Sequence, residues 1–119
     1  MSETSRPDLR SAWVPLAKIT DYLLDPESVD GAPKARFFLA HGYSRETPAA
    51  LADALSRALP DGDLVASHST PFGQKWEIDV RLATPRGTTI HLASVWIQET
   101  GTDRLRLVTA YPSPRRRRP

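Results

Sequence analysis

The sequence predicts an α+β domain in which two or three N-terminal helices pack on one face of a four-stranded antiparallel meander sheet. Between Pro15 and Leu59 the apolar residues recur at helical spacing, with breaks at Pro and Gly. From Leu64 onward the period changes to two. The strand-like runs are joined by short turns rich in Pro, Gly and Thr, which suit a meander of hairpins rather than crossovers.

Residues 1–12 are polar and aperiodic, so a disordered N-terminal arm is expected, and Trp13 and Val14 are the first residues expected to touch a core. Pro15 fits a first helical turn, where its missing N–H costs nothing, and Leu16, Ile19 and Leu23 follow on one side. This predicts a helix over 15–24, stopped by Asp25 and Pro26. After a loop containing Gly31, Pro33 restarts a helix over 33–41, with Phe37, Phe38 and His41 near one side and Gly42 just past its end. On that helix Lys34 and Arg36 point about 200° apart, so both cannot face the core. Thr47 and Pro48 open a third helix over 48–59, whose stripe is Leu51, Ala52, Leu55, Ala58 and Leu59 and whose end is Pro60, Asp61 and Gly62.

Leu64 to Thr70 reads as the first strand, followed by a turn at Pro71, Phe72 and Gly73. In the second, Trp76, Ile78, Val80 and Leu82 alternate with Lys75, Glu77, Asp79 and Arg81, so one face is buried and the other wet. Thr84, Pro85, Arg86 and Gly87 suit a hairpin turn. Thr88 to Glu99 returns as a third strand, in which the consecutive apolar Val95, Trp96 and Ile97 suit a central position covered on both faces. After a turn at 100–103, Leu105 and Leu107 alternate with Arg104 and Arg106, and a fourth strand closes at Val108 to Tyr111.

A chain of 119 residues is expected to form one domain, here 13–112, with a basic disordered tail over 113–119. The formal charge of +2 comes from that tail: without Arg115 to Arg118, 12 Lys and Arg face 14 acids, and the body carries −2. The body is therefore not a basic nucleic-acid binder by composition. The chain has no cysteine and its 3 histidines are scattered, so neither a disulfide framework nor a metal centre is expected, and no cofactor motif is present. No run approaches the ~18 apolar residues of a membrane span, and the N-terminus lacks the apolar segment of a signal peptide. A cytoplasmic protein with no membrane partner is expected.

The groups suited to acid–base work and anion stabilisation are His41, His68, His91, Lys18, Lys34 and Lys75, with Thr109 and Tyr111 on the last strand. Taken singly, a strand histidine is more often solvated than catalytic. Together such groups meet the needs of RNA cleavage by transesterification: a base for the 2′-hydroxyl proton, cations for the phosphorane charge and an acid for the leaving oxygen. The open face of the sheet offers them a common surface.

Lys18, Tyr22, Leu23, Leu24, Pro26, Gly31, Lys34, Ala35, Phe38, Gly42 and Tyr43, continued by Pro71, Phe72, Gly73, Lys75, Gly87, Trp96, Ile97, Val108 and Thr109, form an ordered pattern. It resembles a bacterial domain of unknown function found as short stand-alone proteins and at the C-terminal tips of polymorphic and phage-borne toxins. Helices followed by four strands are also similar to the barnase, EndoU, colicin and RelE group of metal-independent RNases. The resemblance covers about Val14 to Pro112 and implies an RNase toxin or a derivative of one. It matches Lys18, Lys34 and Lys75 to the family's recurrent cations and Thr109 to its terminal hydroxyl. Relatives often place a basic residue two or three positions before the strand-three Trp, where this chain has Ala93 and Ser94; either His91, on the face of Ala93, substitutes for it or activity has been lost.

The expected function is thus a metal-independent endoribonuclease toxin module, with a cognate antitoxin or immunity protein and RNA as partners. Candidate catalytic residues are His91, His68, Lys75 and Thr109, and candidate phosphate ligands are Lys18, Lys34 and Arg36. The alternative is a non-catalytic protein-interaction domain of the same fold.

Overall fold

The computed structural model describes residues 7–29 and 31–114. A two-residue strand β1 (Ala12–Trp13) leads into helix α1 (Leu16–Lys18), which continues directly as a π-helical turn, Ile19–Leu23. Helices α2 (Ala32–Ala40) and α3 (Pro48–Ala58) follow, the latter ending in a 3₁₀ turn at Leu59–Asp61. Strands β2 (Asp63–Thr70), β3 (Gly73–Ala83), β4 (Thr89–Glu99) and β5 (Leu105–Pro112) complete the chain.

The sheet has five strands in the order β1-β5-β4-β3-β2, and β1 runs parallel to β5. This corrects the expected four-stranded antiparallel sheet. The meander β2 to β5 is antiparallel, but Ala12 and Trp13 add a fifth, parallel strand opposite Leu105 and Arg106. Its approach is held by the Asp8 N–H, which donates to the Asp103 carbonyl at 3.0 Å, and by Ser11 Oγ, which donates to the Asp8 carbonyl at 2.9 Å. Two residues are too few to show a period, and a parallel partner 93 positions away leaves no turn signature between them. Trp13 also departs from expectation: it is 46% exposed and lies under the Arg104 guanidinium, 5.3 Å from the ring centroid, while Val14 is buried. Of the tail expected over 113–119, residues 115–119 lie outside the described residues, while the Ser113 N–H donates to the His91 carbonyl at 3.0 Å; residues 1–6 of the expected arm also lie outside.

One face of the sheet carries Trp76, Ile78, Val80 and Leu82 of β3, Ile90, Leu92 and Trp96 of β4, and Leu105, Leu107 and Ala110 of β5. Against it lie Ile19 and Leu23, Phe38 of α2, and Leu51, Leu55 and Leu59, forming one continuous core. Ser94 stands inside that face, where its hydroxyl donates to the Ile78 carbonyl at 2.6 Å and accepts the Trp96 indole N–H at 2.8 Å. A basic side chain at this position would be buried among apolar residues.

The opposite face is read from the register in rows. His68, Lys75, Ile97 and Arg106 form one row. Ala66, Glu77, Val95 and Thr109 form the next, and Asp63, Asp79, Ala93 and Tyr111 the third. A bulge between Val95 and Trp96 leaves Val108 as the extra residue on β5, next to Thr109.

Candidate functional site

Where β1 ends, the outer edge of β5 continues towards Thr109, and the π-helical turn reaches it there. The Tyr22 hydroxyl lies 3.2 Å from Thr109 Oγ1, and either oxygen can donate. Lys18 Nζ stands 5.2 Å from the Tyr22 ring centroid and Lys34 Nζ stands 5.3 Å from it. Two cations thus flank one partly buried phenol.

Local structure explains the convergence. Lys18 precedes Tyr22 by four residues along one helical segment, so both lie on one side. Lys34 comes from α2, whose approach is set by Gly31: a Cβ there would meet the Tyr22 carbonyl oxygen at 2.2 Å. Only a residue without a side chain lets the start of α2 press so closely on the Tyr22 backbone. The Gly31 N–H donates to Ser28 Oγ at 3.1 Å, which fastens the loop behind it. On α2 itself Ala35 and Phe38 are buried, Lys34 is half-buried beside Tyr22, and Arg36 is exposed on another side.

The electrostatics follow from this packing. Partial burial acts to raise the Tyr22 pKa, but hydrogen bonds with Thr109 and Lys34 and the positive charges of Lys34 and Lys18 outweigh it. The net result lies below the ordinary tyrosine value. A phenol with a lowered pKa beside two ammonium groups can exchange a proton next to a bound anion.

Of the residues singled out from sequence, Lys18, Lys34 and Thr109 therefore gather around Tyr22. Lys75 is elsewhere on the sheet, two strands from Thr109 and one row along, which puts their Cα atoms about 12 Å apart on ordinary strand spacings. His68 is its cross-strand neighbour on β2 and is exposed. His91 faces Arg81 across β3 and β4, four residues along β4 from the Thr109 partner Val95, or about 14 Å from Thr109 by the same spacings. His41 belongs to another group, with Nδ1 3.1 Å from Thr88 Oγ1 and Thr88 Oγ1 in turn 2.7 Å from Thr84 Oγ1. Tyr22 was not among the sequence-based candidates. Its signal was present in the spacing from Lys18, but a tyrosine in an amphipathic helix reads as packing. Among the described residues no three His, Asp or Glu side chains come together as a metal-binding group.

The fold is similar to that of a chain in a contact-dependent growth inhibition toxin–immunity protein complex from Klebsiella pneumoniae 342, with a TM-score of 0.70 and 19% identity. The match covers 88% of this chain and 96% of that one. At this identity the likeness is one of fold. No curated protein matches the sequence. The family described as a domain of unknown function (DUF6883) matches residues 6–114, and the chain belongs to that family.

Proposed function

We propose that this domain is a metal-independent endoribonuclease toxin module, neutralised by a cognate immunity protein or antitoxin and acting on cytoplasmic RNA. The observation that carries the reading is the Tyr22 phenol held between Lys18 and Lys34 and hydrogen-bonded to Thr109. The similarity of fold to a chain from a toxin–immunity complex supports the toxin setting and the expectation of a protein partner.

In this reading Lys18 and Lys34 hold the scissile phosphate and offset the charge that builds on its oxygens. Tyr22, as phenolate, takes the proton from the 2′-hydroxyl. The 2′-oxygen forms a bond to phosphorus, the bond from phosphorus to the 5′-oxygen breaks, and Tyr22 returns the proton to that oxygen. The products are a 2′,3′-cyclic phosphate and a free 5′-hydroxyl. Thr109 fixes the direction of the Tyr22 oxygen. Lys75 and His68 on one part of the open face, and His91 beside Arg81 on another, contact flanking nucleotides, and Arg36 adds charge outside the site.

Purified protein incubated with total RNA in EDTA tests the proposal. Cleavage that survives EDTA and ends in a 2′,3′-cyclic phosphate is expected, with loss of activity in Tyr22→Phe and in Lys18→Ala plus Lys34→Ala. A folded parent protein that leaves RNA intact would overturn it.

A further inference from the structure

We infer that Arg45, an exposed residue between α2 and α3, is a positioning residue that holds the π-helical turn and so aims Tyr22 at Thr109. The inference rests on the reading of Tyr22 as the functional phenol, but its geometry stands apart from any reaction. Arg45 donates from both Nε and Nη2 to the Thr20 carbonyl, at 3.2 and 3.0 Å. That carbonyl lies two residues before Tyr22, inside Ile19–Leu23.

The reason it is open to a side chain is the widened turn. In an α-helix the Leu24 N–H would donate to Thr20; here it donates to the Ile19 carbonyl at 2.7 Å, and the Asp25 N–H goes to Tyr22 at 3.3 Å. The Thr20 acceptor is left to the Arg45 guanidinium, which satisfies it with two charge-assisted bonds. If the segment reverted to α-helical pairing, Thr20 would regain its backbone donor and every later side chain would rotate about the axis. Tyr22 would then leave Thr109 and the gap between Lys18 and Lys34. π turns are rare and recur at functional sites. Here the extra residue places the phenol, and Arg45 stabilises the form that does so.

Because Arg45 is exposed and away from the core, its replacement leaves the fold intact. Among the described residues the groups that act on the Tyr22 ionisation are Thr109 of β5, Lys34 of α2 and Lys18 of α1, and none is altered by the change. The test is the ionisation of Tyr22, read as the ultraviolet difference between each protein and its Tyr22→Phe counterpart across a pH titration. The parent is expected to titrate below the ordinary tyrosine range, Arg45→Met at higher pH, and Arg45→Lys, which keeps a cationic donor, in between. Thermal unfolding of the three is expected to stay within a few degrees. A Tyr22 titration in Arg45→Met that overlays the parent's, or a parent titration that is not lowered, overturns the inference. The titration needs no RNA, so its outcome is independent of whether the protein cleaves any.

Discussion

The Tyr22 hydroxyl and Thr109 Oγ1, 87 positions apart in the chain, meet at 3.2 Å and join the first helical segment to β5. That contact ties the candidate site to the sheet edge, and it makes the state of one phenol a reporter on both.

Cleavage is expected to rise with pH and level off before the ordinary tyrosine pKa of ~10. The sign is that of the proposed mechanism, in which the active form would be the Tyr22 phenolate; the Thr109 hydrogen bond and the flanking lysines favour that form at lower pH. Rate measured against pH in the parent and in Lys18→Ala decides this. Loss of one ammonium is expected to move the rise to higher pH and to lower the plateau by roughly a hundredfold. A profile that falls with pH from neutrality would exclude the phenolate as base.

Gly31→Ala is expected to destabilise the domain by about 1–3 kcal/mol, the usual range for an overpacked site. Its added carbon meets the backbone oxygen of Tyr22 at 2.2 Å, and backbone cannot swing away as a flexible side chain can. Thermal unfolding should show a fall of at least ~4 °C. By the same displacement α2 carries Lys34 away from the phenol, so the Tyr22 titration should move towards the ordinary value. A Gly31→Ala protein that melts with the parent would show that α2 is free to shift.

Much of the architecture could be read from the chain because its signals are local. The alternation from Lys75 to Leu82 gave the buried face of β3, and the consecutive apolar residues Val95 to Ile97 identified β4 as central, where Trp96 and Ile97 are buried on opposite faces. What was not legible depends on contacts distant in sequence. Ala12 becomes a strand only because Leu105 is there to receive it, and Leu16 to Leu23 has the same apolar spacing whether the turn is α or π. Lys18, Lys34 and Thr109 stood out by residue type, whereas Tyr22 needed the Gly31 contact and the Thr109 hydroxyl to be placed. Arg45 gave no sequence signal, since a surface arginine in a loop is unremarkable until a backbone carbonyl is left open beneath it.

Ser94→Ala should cost about 1–3 kcal/mol in urea unfolding, because it leaves the Trp96 indole N–H without its acceptor inside the core. Ser113→Ala, which removes a 3.3 Å bond to Asp79 near the surface, should cost less than ~0.5 kcal/mol. Equal effects of the two changes would mean that the Trp96 indole finds another acceptor.

Tyr43 supplies the opposite case to Tyr22. Its ring is buried against Phe38, with centroids 6.2 Å apart, and among the described residues its hydroxyl has no hydrogen-bond partner. Burial therefore raises its pKa above the ordinary tyrosine value. In the unfolded chain Tyr43 ionises at ~10, while in the folded protein it holds its proton to higher pH. The unfolded state then binds fewer protons than the native one, and stability falls as pH rises from ~10 towards the raised value. Tyr22 has the reverse sign: its contribution grows from its lowered value up to ~10 and is then constant. Tyr43→Phe removes an unsatisfied buried hydroxyl, so at neutral pH it should leave stability unchanged or raise it by up to ~1 kcal/mol. Above pH ~10 it should also flatten the decline. Urea midpoints of the parent, Tyr43→Phe and Tyr22→Phe between pH ~8 and ~11 separate the two tyrosines, because the phenylalanine variants remove slopes of opposite sign in different parts of the range. If Tyr43→Phe destabilises the protein at neutral pH, its hydroxyl is satisfied in solution; if the parent and Tyr43→Phe decline alike above pH ~10, burial does not raise the Tyr43 pKa.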